Sequence, residues 1–63
     1  MKNRYIIKVQ EYAPNGRKYG HPYVMRDENY KFLFFKDLQY AEMLAKELNN
    51  SPIRGYTVEE WIG

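Results

Sequence analysis

The sequence predicts an α+β fold, a small antiparallel sheet in the order β-β-β-α-β with one amphipathic helix packed on one face. Three observations predict it. Residues Arg4 to Tyr12 alternate as a half-buried strand does, with Tyr5, Ile7 and Val9 on one side and Lys8 and Gln10 on the other. The Pro14-Asn15-Gly16 stretch that follows is a turn signal, and Asn-Gly favours a hairpin because both residues tolerate positive φ. Further on, Leu38, Ala41, Leu44, Ala45 and Leu48 recur at helical spacing behind Asp37, a good N-cap.

The elements follow in order. On the first strand Ile6 and Tyr12 fall on the polar-leaning side, so that face is not purely a solvent face. Arg17 to Tyr19 begin a return strand, bent by Gly20 and Pro22 before Tyr23-Val24-Met25. Asp27-Glu28-Asn29 reads as a second turn. Tyr30 to Phe35 then form a β-prone run, apolar on both faces, which reads as a central core strand with no role in binding. Glu42 and Lys46 pair across one turn of the helix's outer face. Asn49 and Asn50 suit a left-handed helix end, and Pro52 prevents continuation. After Gly55, Tyr56 to Ile62 supply the closing strand. The helix covers one sheet face only, which leaves Tyr12 and Trp61 at the surface or against a partner.

Length and composition bound the function. A chain of 63 residues and 7.7 kDa buries about 60% of its unfolded surface, enough for one modest core and a single domain over residues 1–63. Such a core rarely supplies more than a few kcal/mol, and small proteins add disulfides, a metal or a partner subunit. There is no cysteine and one histidine, His21, so aromatic packing or a homodimer remains. Reactive groups are scarce, with Ser51 and Thr57 the lone hydroxyls of their kinds, while seven Tyr, three Phe and one Trp are present. That inventory suits binding rather than catalysis, and no cofactor or metal is expected. Met1-Lys2-Asn3-Arg4 is polar, and no apolar run of leader or membrane-span length follows, so a cytoplasmic protein is expected.

Two pieces carry a resemblance. The helix reads aromatic-x-Asp-Leu-x-x-Ala-Glu-x-Leu-Ala-x-Glu-Leu-Asn over Phe35 to Asn49, and the closing strand reads Tyr-x-Val-Glu-Glu over Tyr56 to Glu60. With the opening Tyr5-Ile6-Ile7-Lys8-Val9, they make the chain resemble short reading frames of phages and mobile elements in Gram-positive bacteria. The resemblance spans about half the chain and implies a small αβ fold in a bacterial host cytosol. It implies no specific activity and no functional residues. Many proteins of that setting inhibit host enzymes or defence systems, anti-CRISPR proteins among them.

Charge is uneven. Residues 1–26 set Lys2, Arg4, Lys8, Arg17, Lys18 and Arg26 against Glu11, a net +5; residues 27–63 carry four cations against seven carboxylates, a net −3. The basic part suggests a binding hairpin formed by Tyr12, Arg17, Lys18, Tyr19, His21, Tyr23 and Arg26, facing phosphates or an acidic protein groove. Cations on a short hairpin also serve solubility and blunt an edge strand. Trp61 faces away from Val58, either as the lid of a second small cluster or as an exposed anchor.

Glu59, Glu60, Asp27 and Glu28 offer nucleic-acid mimicry as a further reading, although their number is ordinary for a surface. His21 with one carboxylate is too few ligands for a metal. Gly16 and Gly20 lack the following Lys-Ser/Thr of a phosphate loop. The leading expectation is a non-enzymatic protein that occupies a surface of a larger host protein, such as a nucleic-acid enzyme. The alternatives are a nucleic-acid-binding accessory protein using the same hairpin and a structural phage component.

Overall fold

The computed structural model describes residues 4–62. Lys2, one of the cations of the basic part, lies outside them. Strand β1 (Arg4–Tyr12), strand β2 (Lys18–Val24), helix α1 (Leu38–Leu48) and strand β3 (Arg54–Trp61) form an α+β unit with element order β-β-α-β. The sheet is antiparallel, in the order β2-β1-β3.

The expected third strand does not form a ladder of its own. β2 occupies one side of β1 as far as Lys8, opposite Val24, so only Ile7 and Tyr5 remain open there. The Met25 N–H donates to the Ile7 carbonyl (2.8 Å), and Tyr5 and Phe35 exchange both backbone bonds, each at 2.8 Å. Between them the chain folds back through the Asp27 turn, so that the Leu33 N–H donates to the Met25 carbonyl (3.0 Å) and Arg26 pairs with Phe32. Residues 30–35 therefore complete the edge of β1 with isolated bridges instead of adding a strand. The Asp27 carboxylate organises the turn by accepting from the Asn29 N–H (2.8 Å) and the Lys31 N–H (3.0 Å). Tyr30 sits there in the left-handed region, φ 63°, and is 81% exposed, so it is not part of the core.

The hairpin tip forms where the sequence places it, by a different turn. The Gly16 N–H donates to the Ala13 carbonyl (2.9 Å), and the Ala13 N–H to the Arg17 carbonyl (2.8 Å). That is a three-residue loop with a left-handed residue at its end, for which Gly16 (φ 86°) is suited. Asn15 does not take positive φ; its side chain accepts from the Arg17 N–H at 3.0 Å. Along β2 the ladder is irregular, since Val9 faces Tyr23 and Glu11 faces Tyr19. Gln10 fills the irregularity, its amide nitrogen reaching the Glu11, Tyr19 and Gly20 carbonyls at 3.0, 3.4 and 3.2 Å.

Asp37 caps α1 as expected, accepting from the Gln39 and Tyr40 N–H groups. The other end differs from expectation, because Asn49 has φ −75° and is not left-handed. Its side chain instead acts like a neighbouring strand. It accepts from the Tyr56 N–H (2.7 Å) and donates to the Tyr56 carbonyl (2.9 Å), which ties the helix end to the outer edge of β3.

Helix α1 lies over β1 and β3 and does not reach β2. Small residues Ala41 and Ala45 let it approach the sheet, where they bury Ile7 with Phe35, flanked by Tyr5, Leu33, Leu44 and Val58. The opposite face has a second cover at the same end. Trp61, Phe32 and Phe34 meet edge to face with centroids 5.7–6.4 Å apart. Ile6, on that face by register, is 2% exposed. The hairpin end has neither cover, and the molecule is elongated, 42 × 21 × 21 Å.

Candidate binding face

The face of the sheet away from α1 follows from strand parity. In β1 it takes Arg4, Ile6, Lys8, Gln10 and Tyr12, and the pairing adds Trp61, Glu59, Thr57 and Gly55 from β3 and Lys18 and Val24 from β2. Its floor at the hairpin end is set by Gly55. A Cβ there would stand 3.1 Å from Tyr12 Cε2 and 3.4 Å from the Tyr12 hydroxyl oxygen, so the glycine leaves room for that edge of the ring over β3. The Tyr12 backbone is held to the approach of the same strand, its N–H donating to the Ile53 carbonyl at 2.8 Å.

Around this ring is a groove of about 440 Å³, walled by Lys18, Pro22, Gln10, Thr57 and the pair Lys8 and Glu59. Lys8 Nζ lies 3.3 Å from the Glu59 carboxylate. Such a half-exposed pair is worth at most about 1 kcal/mol, so a competing anion can displace the carboxylate. At the other end of the face the Arg4 guanidinium stands 4.3 Å over the Phe34 ring, and that of Arg26 stands 4.8 Å over Phe32. Arg26 also donates to the Tyr30 carbonyl at 2.7 Å. The whole face thus sets Arg4, Lys8, Lys18 and Arg26 against Glu59.

The other face of the hairpin is different. Past the end of α1 it presents Tyr19, 69% exposed, opposite Glu11, and Tyr23, 44% exposed, opposite Val9, with Arg54 on β3 at the other side of Glu11. The Tyr23 hydroxyl donates to the Glu11 carboxylate at 3.1 Å. Partial burial, then that bond and the negative charge of Glu11, hold the Tyr23 phenol above its ordinary range. A side-chain hydrogen bond with Tyr56 pushes the Arg54 guanidinium further up, so it stays charged.

The hairpin residues singled out in the sequence therefore do not form one surface. Tyr12 and Lys18 share the face away from the helix, whereas Tyr19 and Tyr23 stand on the helix side. Arg17 and His21 are exposed, at the tip and in the irregular stretch. Arg26 and Trp61 are drawn together with Phe32 at the packed end, where Trp61 is the lid of a second cluster. Sequence reasoning put Lys8 on the Tyr12 side of β1 but did not single out Lys8, Arg4 or Gly55 as binding residues. The alternation of β1 was a signal for Lys8 and Arg4; for Gly55 there was none, because its position under Tyr12 depends on the register of β3.

No described helix is long and apolar enough to cross a membrane. No family model, curated protein or solved structure matches the chain, so no comparison bears on the phage setting that the sequence resemblance implies.

Proposed function

We propose that the chain is a non-enzymatic binding protein that holds single-stranded nucleic acid on the sheet face away from α1. The supporting observation is that Tyr12 and the cations Arg4, Lys8, Lys18 and Arg26 occupy the face away from the helix, with Glu59 the carboxylate that the strand pairing places among them. Cations spread over one sheet face suit a phosphate backbone, and a tyrosine ring bordering a groove suits an unpaired base, whose flat face is accessible only outside a duplex. Fluorescence anisotropy of labelled single- and double-stranded DNA and RNA at about 50 and about 200 mM salt tests this. Three to four phosphate contacts predict an affinity loss of about 20- to 50-fold across that interval for single strands. Absence of binding at the lower salt, or tighter binding of duplex, overturns the reading.

A second reading has its own support. Tyr19, Tyr23 and Arg54 form an exposed patch of the residue types that dominate protein interfaces. Through it the chain would occupy a larger host protein in the cytosol, as the resemblance to phage and mobile-element proteins suggests, and would inhibit that protein. Charge reversal of Lys18 separates the two readings. It weakens binding to nucleic acid and lowers its salt dependence, whereas partner capture through the tyrosines survives.

A further inference from the structure

We infer that the groove over Gly55 is a subsite for one unpaired nucleobase, stacked on Tyr12 with its phosphate at Lys18. The inference rests on the nucleic-acid reading and specifies where on the face a base is held. Tyr12 is half-buried, with its ring against the strand at Gly55, where a side chain would stand within 3.1 Å of it. The Cε2 and hydroxyl edge of the ring is thus turned to β3, and the ring borders the groove. The main chain that carries the ring is held to the approach of β3, its N–H donating to the Ile53 carbonyl at 2.8 Å.

Lys18 is the register partner of Tyr12 and makes no ion pair among the described residues. It stands beside the ring as a phosphate ligand must stand beside a stacked base. The groove, at about 440 Å³, lies in the size range of small-molecule sites. In its polar wall the Gln10 amide nitrogen is engaged by three backbone carbonyls. The subsite accepts a base chiefly by its flat face, a sequence-tolerant contact.

The test combines ultraviolet crosslinking of the wild-type protein to an oligothymidylate with anisotropy of Tyr12→Phe, Tyr12→Ala and Lys18→Ala. The expected crosslink maps to Tyr12 by peptide mass spectrometry. Tyr12→Phe keeps its affinity within about twofold, while Tyr12→Ala loses roughly 5- to 100-fold. Lys18→Ala lowers the slope of log affinity against log salt by about 0.7. Circular dichroism checks that each variant is folded, and where Tyr12→Ala unfolds, the wild-type crosslink decides. Binding that persists in folded Tyr12→Ala, with crosslinks elsewhere, overturns the subsite and leaves the nucleic-acid reading standing. Failure of the wild-type protein to bind the oligonucleotide at about 50 mM salt overturns both.

Discussion

Strand β1 passes through two different environments. At Ile6 and Ile7, adjacent residues that point to opposite faces are both almost fully buried, at 2% and 0% exposure. One lies under the side of the sheet covered by Trp61, Phe32 and Phe34, the other under α1. A few residues later Gln10, Glu11 and Tyr12 are only half-buried, and the paired part of β2 from Lys18 to Tyr23 is exposed throughout. A small chain has too few apolar groups to cover both faces of a sheet along its whole length. This one concentrates them at one end and holds the other end by hydrogen bonds: the Gln10 amide, the Ala13–Arg17 closure and the Tyr12–Ile53 bond. Stability comes from the packed end, and the hairpin end is left exposed.

The largest expected effect tests that division directly. Ile7→Ala removes about 2–5 kcal/mol, which approaches the whole stability of a domain this small, and Ile6→Ala is expected to cost nearly as much because its face is covered too. Tyr19→Ala, at the hairpin end, is expected to stay within about 0.5 kcal/mol. Urea denaturation followed by circular dichroism ranks the three. An Ile6→Ala variant as stable as the wild type would show that the aromatic group is not a second core.

A smaller effect sharpens the comparison at the junction of the two ends. A valine normally improves a strand over glycine by up to about 1 kcal/mol. At Gly55 the new side chain meets the Tyr12 ring, a crowding worth about 1–3 kcal/mol. Gly55→Val is therefore expected to lower the melting temperature and to weaken oligonucleotide binding together. A stabilised variant with unchanged binding would show that the ring is not seated on the strand.

The smallest effect is a pH dependence at the hairpin end. Tyr23 titrates above its ordinary range in the folded protein, so the native state holds that proton more tightly than the unfolded chain. The resulting stabilisation is complete below about pH 10, the unfolded value, and is lost as pH rises through the folded one. Stability measured by urea denaturation between about pH 9 and 11 is expected to fall less steeply in Tyr23→Phe than in the wild type. Equal slopes would mean that the Tyr23–Glu11 bond does not persist in solution.

Much of the packed end was legible in the sequence. The Asp37 cap, the helical recurrence from Leu38 to Leu48 and the alternation of β1 are local patterns, and local physics produces them. The Tyr30–Phe35 run was misread as a strand because its composition is visible in sequence but the vacancy on its partner is not. β1 had only Ile7 and Tyr5 left to offer. The alternation along the run still has meaning, since Phe35 turns toward the helix while Phe32 and Phe34 turn to Trp61. Asn49 was read for its backbone tolerance, whereas it acts through its side chain on a residue seven positions away.

The candidate site was legible in its residue types but not in its division. Parity along β2 separates Lys18 from Tyr19 and Tyr23, and grouping them as one hairpin surface ignored it. Gly55 comes to lie beside Tyr12 only through the β1–β3 register, which no local pattern specifies.

Proton NMR of the tyrosine ring and lysine side-chain signals during addition of a single-stranded oligonucleotide separates the two faces of the hairpin. Shifts are expected at Tyr12, Lys8 and Lys18, with Tyr19 and Tyr23 and the helix residue Tyr40 unmoved. Shifts confined to Tyr19 and Tyr23, or no shifts at all, would contradict the proposed binding face.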